Sequence, residues 1–173
     1  MMEFFANQGE ALVIAIGEHL LLSFVALALG IIVAVPLGIW LSQVPKIANI
    51  VIGIASVLQT IPTLALLTLM VILLGVGKIP SIVALFIYSL LPILRNTYLG
   101  IAGVDPNLTD AAQGMGMSRM QVIRKVLLPL AVPVIMAGIR LSAVYVIAWA
   151  TIAAYIGGGG LGEFIFNGLQ GYR

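Results

Sequence analysis

The residues able to do chemistry in this chain fall into a few short stretches. One is "DAAQGMGMSRMQVIRKVLLP", Asp110 to Pro129, where charges, glycines and methionines interrupt an otherwise apolar sequence. A second is "QTIPT", Gln59 to Thr63, in which Pro62 removes a backbone donor and Gln59 adds a side chain that needs partners. A third is a scatter of aromatic residues, Tyr88, Tyr145, Trp149 and Tyr155, whose faces can hold a cation through cation–π attraction or sit at the membrane interfaces as an aromatic belt. Arg140, in a long apolar run, and the glycines Gly157, Gly158, Gly159 and Gly160 complete the set. The chain contains no cysteine, and its single histidine, His19, cannot build a metal site alone, so thiol chemistry and Cys-based zinc sites are excluded. No Walker-type Gly-rich Lys-Ser/Thr stretch is present, so a nucleotide would have to be held elsewhere. These are groups for binding and movement; no covalent catalysis is read from them.

The elements that position these residues follow from composition. The 173 residues are 62% hydrophobic and 8% charged, against about 25% charge in a soluble domain. The class is therefore all-α and polytopic in a membrane. A span needs about 20 apolar residues. Leu20 to Leu41 is uncharged and forms span one, with Pro36 and Gly38 inside it. Ile47 to Gly77 is also uncharged but too long for one perpendicular crossing, so it reads as a tilted or broken span with its break near Pro62. Span three runs from about Ile79 to Arg95 or a turn beyond, and span four from near Pro129 to about Tyr155. Residues 4 to 18, broken by polar side chains, are expected to form a separate interfacial helix. The N-terminus lacks the positive opening of a signal peptide, Lys46 being the first basic residue.

Charge sets the orientation. With the Asp110 segment cytoplasmic, the inner side holds Lys46, Arg95, Arg119, Arg124 and Lys125, and the outer side Lys78 and Arg173. That obeys the positive-inside rule and puts the N-terminus, with Glu3, Glu10 and Glu18, outside. The localisation expected is a multi-pass protein of the cell membrane, in contact with lipid. Nucleic acid is not an expected partner: three basic residues between two spans do not make a DNA-reading helix-turn-helix.

Within the Asp110 segment the capping rules are specific. Asp105 before Pro106 starts a helix, Gly114 and Gly116 end it, and Ser118 with Gln121 has the spacing of a capping box that starts a second. Pro129 predicts a bend at the entry to span four. The alanines admit close approach of another backbone, and Met115, Met117 and Met120 offer adaptable apolar contact. This is the make-up of a docking knob.

Here the chain resembles the permease subunits of ABC importers. Their cytoplasmic loop has the pattern Glu-Ala-Ala, three residues, Gly, nine residues, Ile, any residue, Leu-Pro. This sequence has Asp110-Ala111-Ala112, three residues, Gly116, nine residues, Val126, Leu127, Leu128-Pro129, with Asp for Glu and Val for Ile. The stretches "QTIPTLALL", "YSLLPILRNTY" and "WATIAAYIGGGGLGEFIFNGL" further resemble the osmoprotectant branch, which imports glycine betaine, choline, carnitine and related quaternary amines such as ergothioneine. The resemblance covers most of residues 20 to 172. It implies a type I ABC-importer permease fold with four spans visible, a fifth apparently missing beyond Arg173, and coupling helices at about 105–129, all in one transmembrane domain over 1–173. It implies cytoplasmic ATPase subunits docked on Asp110, Ala111, Ala112, Met115, Gly116, Met117, Leu128 and Pro129. It also implies a second permease copy, expected to be identical, and an extracytoplasmic solute-binding protein or fused binding domain. This chain binds no cofactor in that scheme; ATP and magnesium sit on the ATPase.

The remaining residues are read with their ordinary alternatives beside them. Gln59, Thr60, Pro62 and Thr63 are the candidate translocation pathway, with Tyr145 and Trp149; against this, Thr can bond its own backbone and Gln can join helices. Arg140 and Gly157 to Gly160 are the candidate gate; the competing readings are pairing of Arg140 with a loop carboxylate or carbonyls, and a simple flexible turn. His19 and Glu163 read as a helix-end residue at the membrane interface and a solvent-facing acid. A methionine or other amino-acid permease of the same fold is the alternative within the class. An ion-driven secondary transporter is the alternative outside it, and would want ionisable residues in the spans, where only Arg140 stands.

Overall fold

The structure is a computed structural model that describes residues 2–171, with side chains from residue 8 onward. All regular structure among the described residues is helical: α1 (Met2–Leu41), α2 (Pro45–Gln59), α3 (Thr63–Leu74), α4 (Lys78–Ala102), α5 (Pro106–Gly114), α6 (Arg119–Val122), α7 (Leu128–Ala153) and α8 (Leu161–Gly171). A π-helical turn, Ile123–Leu127, joins α6 to α7, and a 3-10 turn, Ala154–Ile156, follows α7.

Three long helices, α1, α4 and α7, form the bundle, and small residues let them close on one another. A Cβ on Gly30 of α1 would lie 2.0 Å from the Ser89 hydroxyl of α4, and one on Gly138 of α7 would lie 2.7 Å from the Pro92 carbonyl of α4. Where lipid supplies no hydrophobic drive for helix association, such close backbone packing does the work. Ala26, Ala34, Ala131 and Ala150 are fully buried along the same seams. The outward faces stay apolar, with Phe24, Ile32, Ile72 and Val144 exposed, as a hydrocarbon solvent allows.

Three stretches are long and apolar enough to cross a membrane: Gln8–Leu41, Lys78–Ala102 and Arg119–Ile156. The fourth expected crossing is the pair α2 and α3, which meet at 94° across Thr60, Ile61 and Pro62. The break predicted at Pro62 is therefore a right-angled corner. Pro62 supplies no N–H, and its φ of −55° and ψ of 136° start α3 in a new direction.

Three expectations are corrected. Residues 4 to 18 do not form a separate interfacial helix; they are the first part of α1, which runs unbroken to Leu41. Ala15, His19 and Leu22 share a buried face across the supposed junction, so packing continues where polarity suggested a stop. Helix α4 continues about two turns past Arg95, to Ala102. At Pro129 the helix does not stop, because a widened turn absorbs the ring. The Leu128 N–H reaches five residues back to the Ile123 carbonyl, and α6, the π turn and α7 run on as one span. Arg173, counted for orientation, lies outside the described residues.

Candidate functional site

The Asp110 segment has the local structure its caps predict. Asp105 accepts a hydrogen bond from the Asn107 N–H at 2.9 Å, with Pro106 at the first helical position. Helix α5 ends at Gly114, and Gly116 turns the chain with φ of +83°, a left-handed value that glycine adopts without strain. Ser118 forms the capping box of α6: its N–H donates to Gln121 Oε1 at 2.8 Å, and the Gln121 N–H donates to Ser118 Oγ at 3.4 Å.

The two sides of this segment differ. Ala112 is buried in a cluster with Ile101, Val122, Leu127, Ala131 and Ile135, and Met117 packs on it, half-buried. Asp110, Ala111, Met115, Gly116 and Pro129 are exposed, and Leu128 is half-buried. Met115 is 72% exposed, and nothing lies within 4 Å of where a Gly116 side chain would start. Of the residues expected to dock a partner, Asp110, Ala111, Met115 and Gly116 form an outward face, while Ala112 and Met117 fasten that face to the bundle. Val35 and Ile39 of α1 pack on the same cluster, so the segment, α1, α4 and α7 meet in one body.

A polar tie adds to this. Arg119 donates from Nε and Nη2 to Gln43 Oε1, at 3.1 and 3.0 Å. Gln43 donates in turn to Ser42 Oγ, and Ser42 to the Ile39 carbonyl. Arg119 and Gln43 line a hollow of about 510 Å³ with Thr109 and Gln113. The expectations from sequence did not include Gln43, since a lone glutamine at the end of a span carries no local signal.

At the corner between α2 and α3, Thr60 donates its hydroxyl to the Val57 carbonyl at 2.7 Å, the ordinary alternative for a threonine there. Gln59 Nε2 donates to the Tyr88 carbonyl at 3.5 Å, and Tyr88 OH donates to the Ile61 carbonyl at 2.5 Å. Thr63 is half-buried and Pro62 exposed. Trp149 lies against Tyr88 with ring centroids 4.5 Å apart, and Tyr145 stacks on Trp149 at 5.3 Å. The structure thus gathers Tyr88, Trp149 and Tyr145 into one aromatic row beside the corner, with Gln59 on the Tyr88 carbonyl. Its inner end, Tyr88, is buried, and its outer end, Tyr145, is 38% exposed. Tyr155 is not part of it; that ring packs on Phe166 of α8.

The candidate gate does not come together. Arg140 is exposed on α7 and makes no ion pair among the described residues, so the expected loop carboxylate is not its partner. The glycine turn is separated from Arg140 by about 25 Å of helix rise. That turn is a packed corner. Gly157, Gly159 and Gly160 have left-handed φ, and Gly158 to Gly160 are buried. The Gly160 N–H donates to Glu18 Oε2 at 3.3 Å, Glu18 pairs with Lys78 at 2.6 Å, and the Gly77 N–H donates to the Ile156 carbonyl at 2.8 Å. The end of the bundle opposite the Asp110 segment is closed by this set. His19 is also not a helix-end residue at the interface: it is buried, with Nε2 3.0 Å from the Ile147 carbonyl of α7. Glu163 is exposed in the first turn of α8. No group of three or more metal-ligating side chains occurs among the described residues.

Crossing helices, one span broken at a right angle and a capped polar segment between two spans define a multi-pass membrane permease subunit of the type I ABC-importer fold. Residues 26–173 match the family described as binding-protein-dependent transport system inner membrane component, and the chain belongs to that family. It is 58% identical over its whole length to the carnitine transport permease protein OpuCB of Listeria monocytogenes, covering 79% of that protein. It is 56% identical to the glycine betaine/carnitine/choline transport system permease protein OpuCB of Bacillus subtilis strain 168, again over its whole length and 80% of the relative. Among solved structures, an inward-facing MetNI methionine ABC transporter has a chain 26% identical with a TM-score of 0.80, matched over 93% of this chain and 80% of that one.

Proposed function

We propose that this chain forms the translocation pathway of an ATP-driven importer for quaternary-amine solutes: glycine betaine, choline, carnitine or related betaines. The observation that carries the reading is full-length identity of 58%, 56% and 53% to permeases named for carnitine, for glycine betaine/carnitine/choline and for choline. The methionine transporter, at 26% identity, is a weaker guide to the solute. The stacked pair Trp149–Tyr145, the accessible end of the aromatic row, supports the same chemistry, because aromatic faces attract an ammonium that has no N–H to donate.

In this reading ATP and magnesium act on a separate cytoplasmic ATPase, and an extracytoplasmic binding protein or domain delivers the solute. The ATPase seats on the face made by Asp110, Ala111, Met115 and Gly116. Ala112 and Met117 pass its movement to the ends of α1, α4 and α7. The N-terminus and the Glu18–Lys78 end are then outside. A second permease chain completes the pathway. Listeria monocytogenes has two carnitine permeases related to this chain, OpuCB at 58% and OpuCD at 40% identity, which favours a related partner over an identical one.

Reconstitution into liposomes with the ATPase, partner permease and binding protein tests this. ATP-dependent uptake of at least one of glycine betaine, choline, carnitine or ergothioneine is expected, and none of methionine. Uptake of methionine alone would overturn the solute assignment.

A further inference from the structure

We propose that Tyr88 is a positioning residue for the pathway: its hydroxyl, assisted by Gln59, latches the corner of the broken span onto α4, and Trp149 relays that position to α7. The inference rests on the transport reading above and adds to it the part that sets the corner.

The geometry follows from one proline and one break between helices. A helical carbonyl is satisfied by the N–H four residues on. For Tyr88 that residue is Pro92, inside α4, which has no N–H. The Tyr88 carbonyl is therefore free, and it is the group Gln59 reaches, at 3.5 Å. On the other side, Ile61 lies between α2 and α3 and belongs to neither, so its carbonyl also lacks a helical donor. The Tyr88 hydroxyl fills that place at 2.5 Å. Each element thus covers the other's exposed backbone, which in a membrane has no water to turn to. The contact is reciprocal: breaking it frees two carbonyls together, so the corner has a defined attached state.

Tyr88 cannot be a direct solute contact in this state, because it is only 2% exposed. Its ring instead supports Trp149, and Trp149 supports the exposed Tyr145. Leu66, Leu67 and Met70 of α3 are buried in the same cluster as Tyr88. Release of the corner would uncover them.

The test uses the assembled transporter. The chain has no cysteine, so Leu67→Cys places a single thiol in it at a position 1% exposed. Tyr88→Phe keeps the ring on Trp149 and removes only the hydroxyl. The expected result is maleimide labelling of the introduced thiol that is about tenfold faster with Tyr88→Phe than without, the factor for a bond worth about 1.4 kcal/mol. Uptake per ATP hydrolysed should fall as well; general destabilisation would lower both rates together and leave that ratio unchanged. Gln59→Met should shift labelling the same way by a smaller factor. Met70→Cys is the second reporter if the substitution at position 67 disturbs packing. Equal labelling with and without the hydroxyl at both reporters, together with an unchanged ratio, would overturn the latch. Labelling needs no solute. Faster labelling in a complex that imports no quaternary amine would therefore uphold the latch and refute the transport reading.

Discussion

Arg119 and Gln43 are 76 residues apart in sequence, yet two nitrogens of the arginine share one oxygen of the glutamine, at 3.1 and 3.0 Å. The pair ties the start of α6 to the corner between α1 and α2. In the proposed transport reading, a displacement of α6 reaches α2, which leads to the broken corner at Thr60–Pro62, through this contact. Lysine cannot reproduce the two-nitrogen contact. Arg119→Lys should lower uptake per ATP by about two- to fivefold, the effect of about 0.5–1 kcal/mol at an exposed site. Insertion and ATPase binding should be unchanged. The check is paired measurement of uptake and ATP hydrolysis in the same vesicles; an unaltered ratio would remove the tie from the account.

Gly116 holds φ of +83° in open space. The obstacle to substitution there is the backbone and not crowding. Gly116→Val should cost about 1–3 kcal/mol of local stability and disorder the docking face. Gly116→Asn should cost less, since asparagine tolerates left-handed backbone. Comparing ATPase retention by the two variants on a sizing column checks this, with valine expected to lose the ATPase first.

The caps of α5 and α6 and the break at Pro62 were legible because each is decided within a few residues, and the bodies of α4 and α7 because each is a long apolar run. Side-chain direction was not. The pattern Asp110-Ala111-Ala112 does not say that Ala112 turns inward, because that depends on Ile101 and Leu127 meeting it from other helices. His19 looked like a residue at a helix end because a lone histidine between Glu18 and an apolar run has no local sign of the Ile147 carbonyl waiting for it. The distance between Arg140 and the glycine turn was not legible for a similar reason: neither shows in sequence what it packs against. The extension of α1 was hidden by Glu10 and Glu18, whose charges read as an end to the helix. Glu18 instead finds Lys78 and Gly160.

Gly160 is where that closed end is least tolerant. A Cβ there would lie 3.1 Å from two atoms of His19, and the residue also has φ of +79°. Gly160→Ala should therefore destabilise the solubilised complex by about 1–3 kcal/mol, read as a lower midpoint of thermal aggregation. Glu18→Gln, which removes a largely solvent-facing charge pair, should cost less than about 1 kcal/mol, and the difference should shrink in high salt. A larger effect of Glu18→Gln than of Gly160→Ala would reverse the assigned order.

The central claim is that a partner ATPase grips the outward face of α5 and its turn. Cysteine cross-linking in native membranes tests it most directly, because the chain brings no thiol of its own. Met115→Cys, 72% exposed, is predicted to cross-link to the ATPase, and Ala112→Cys, 2% exposed, is predicted not to. Absence of any ATPase adduct at position 115, or a stronger one at 112, would contradict the account.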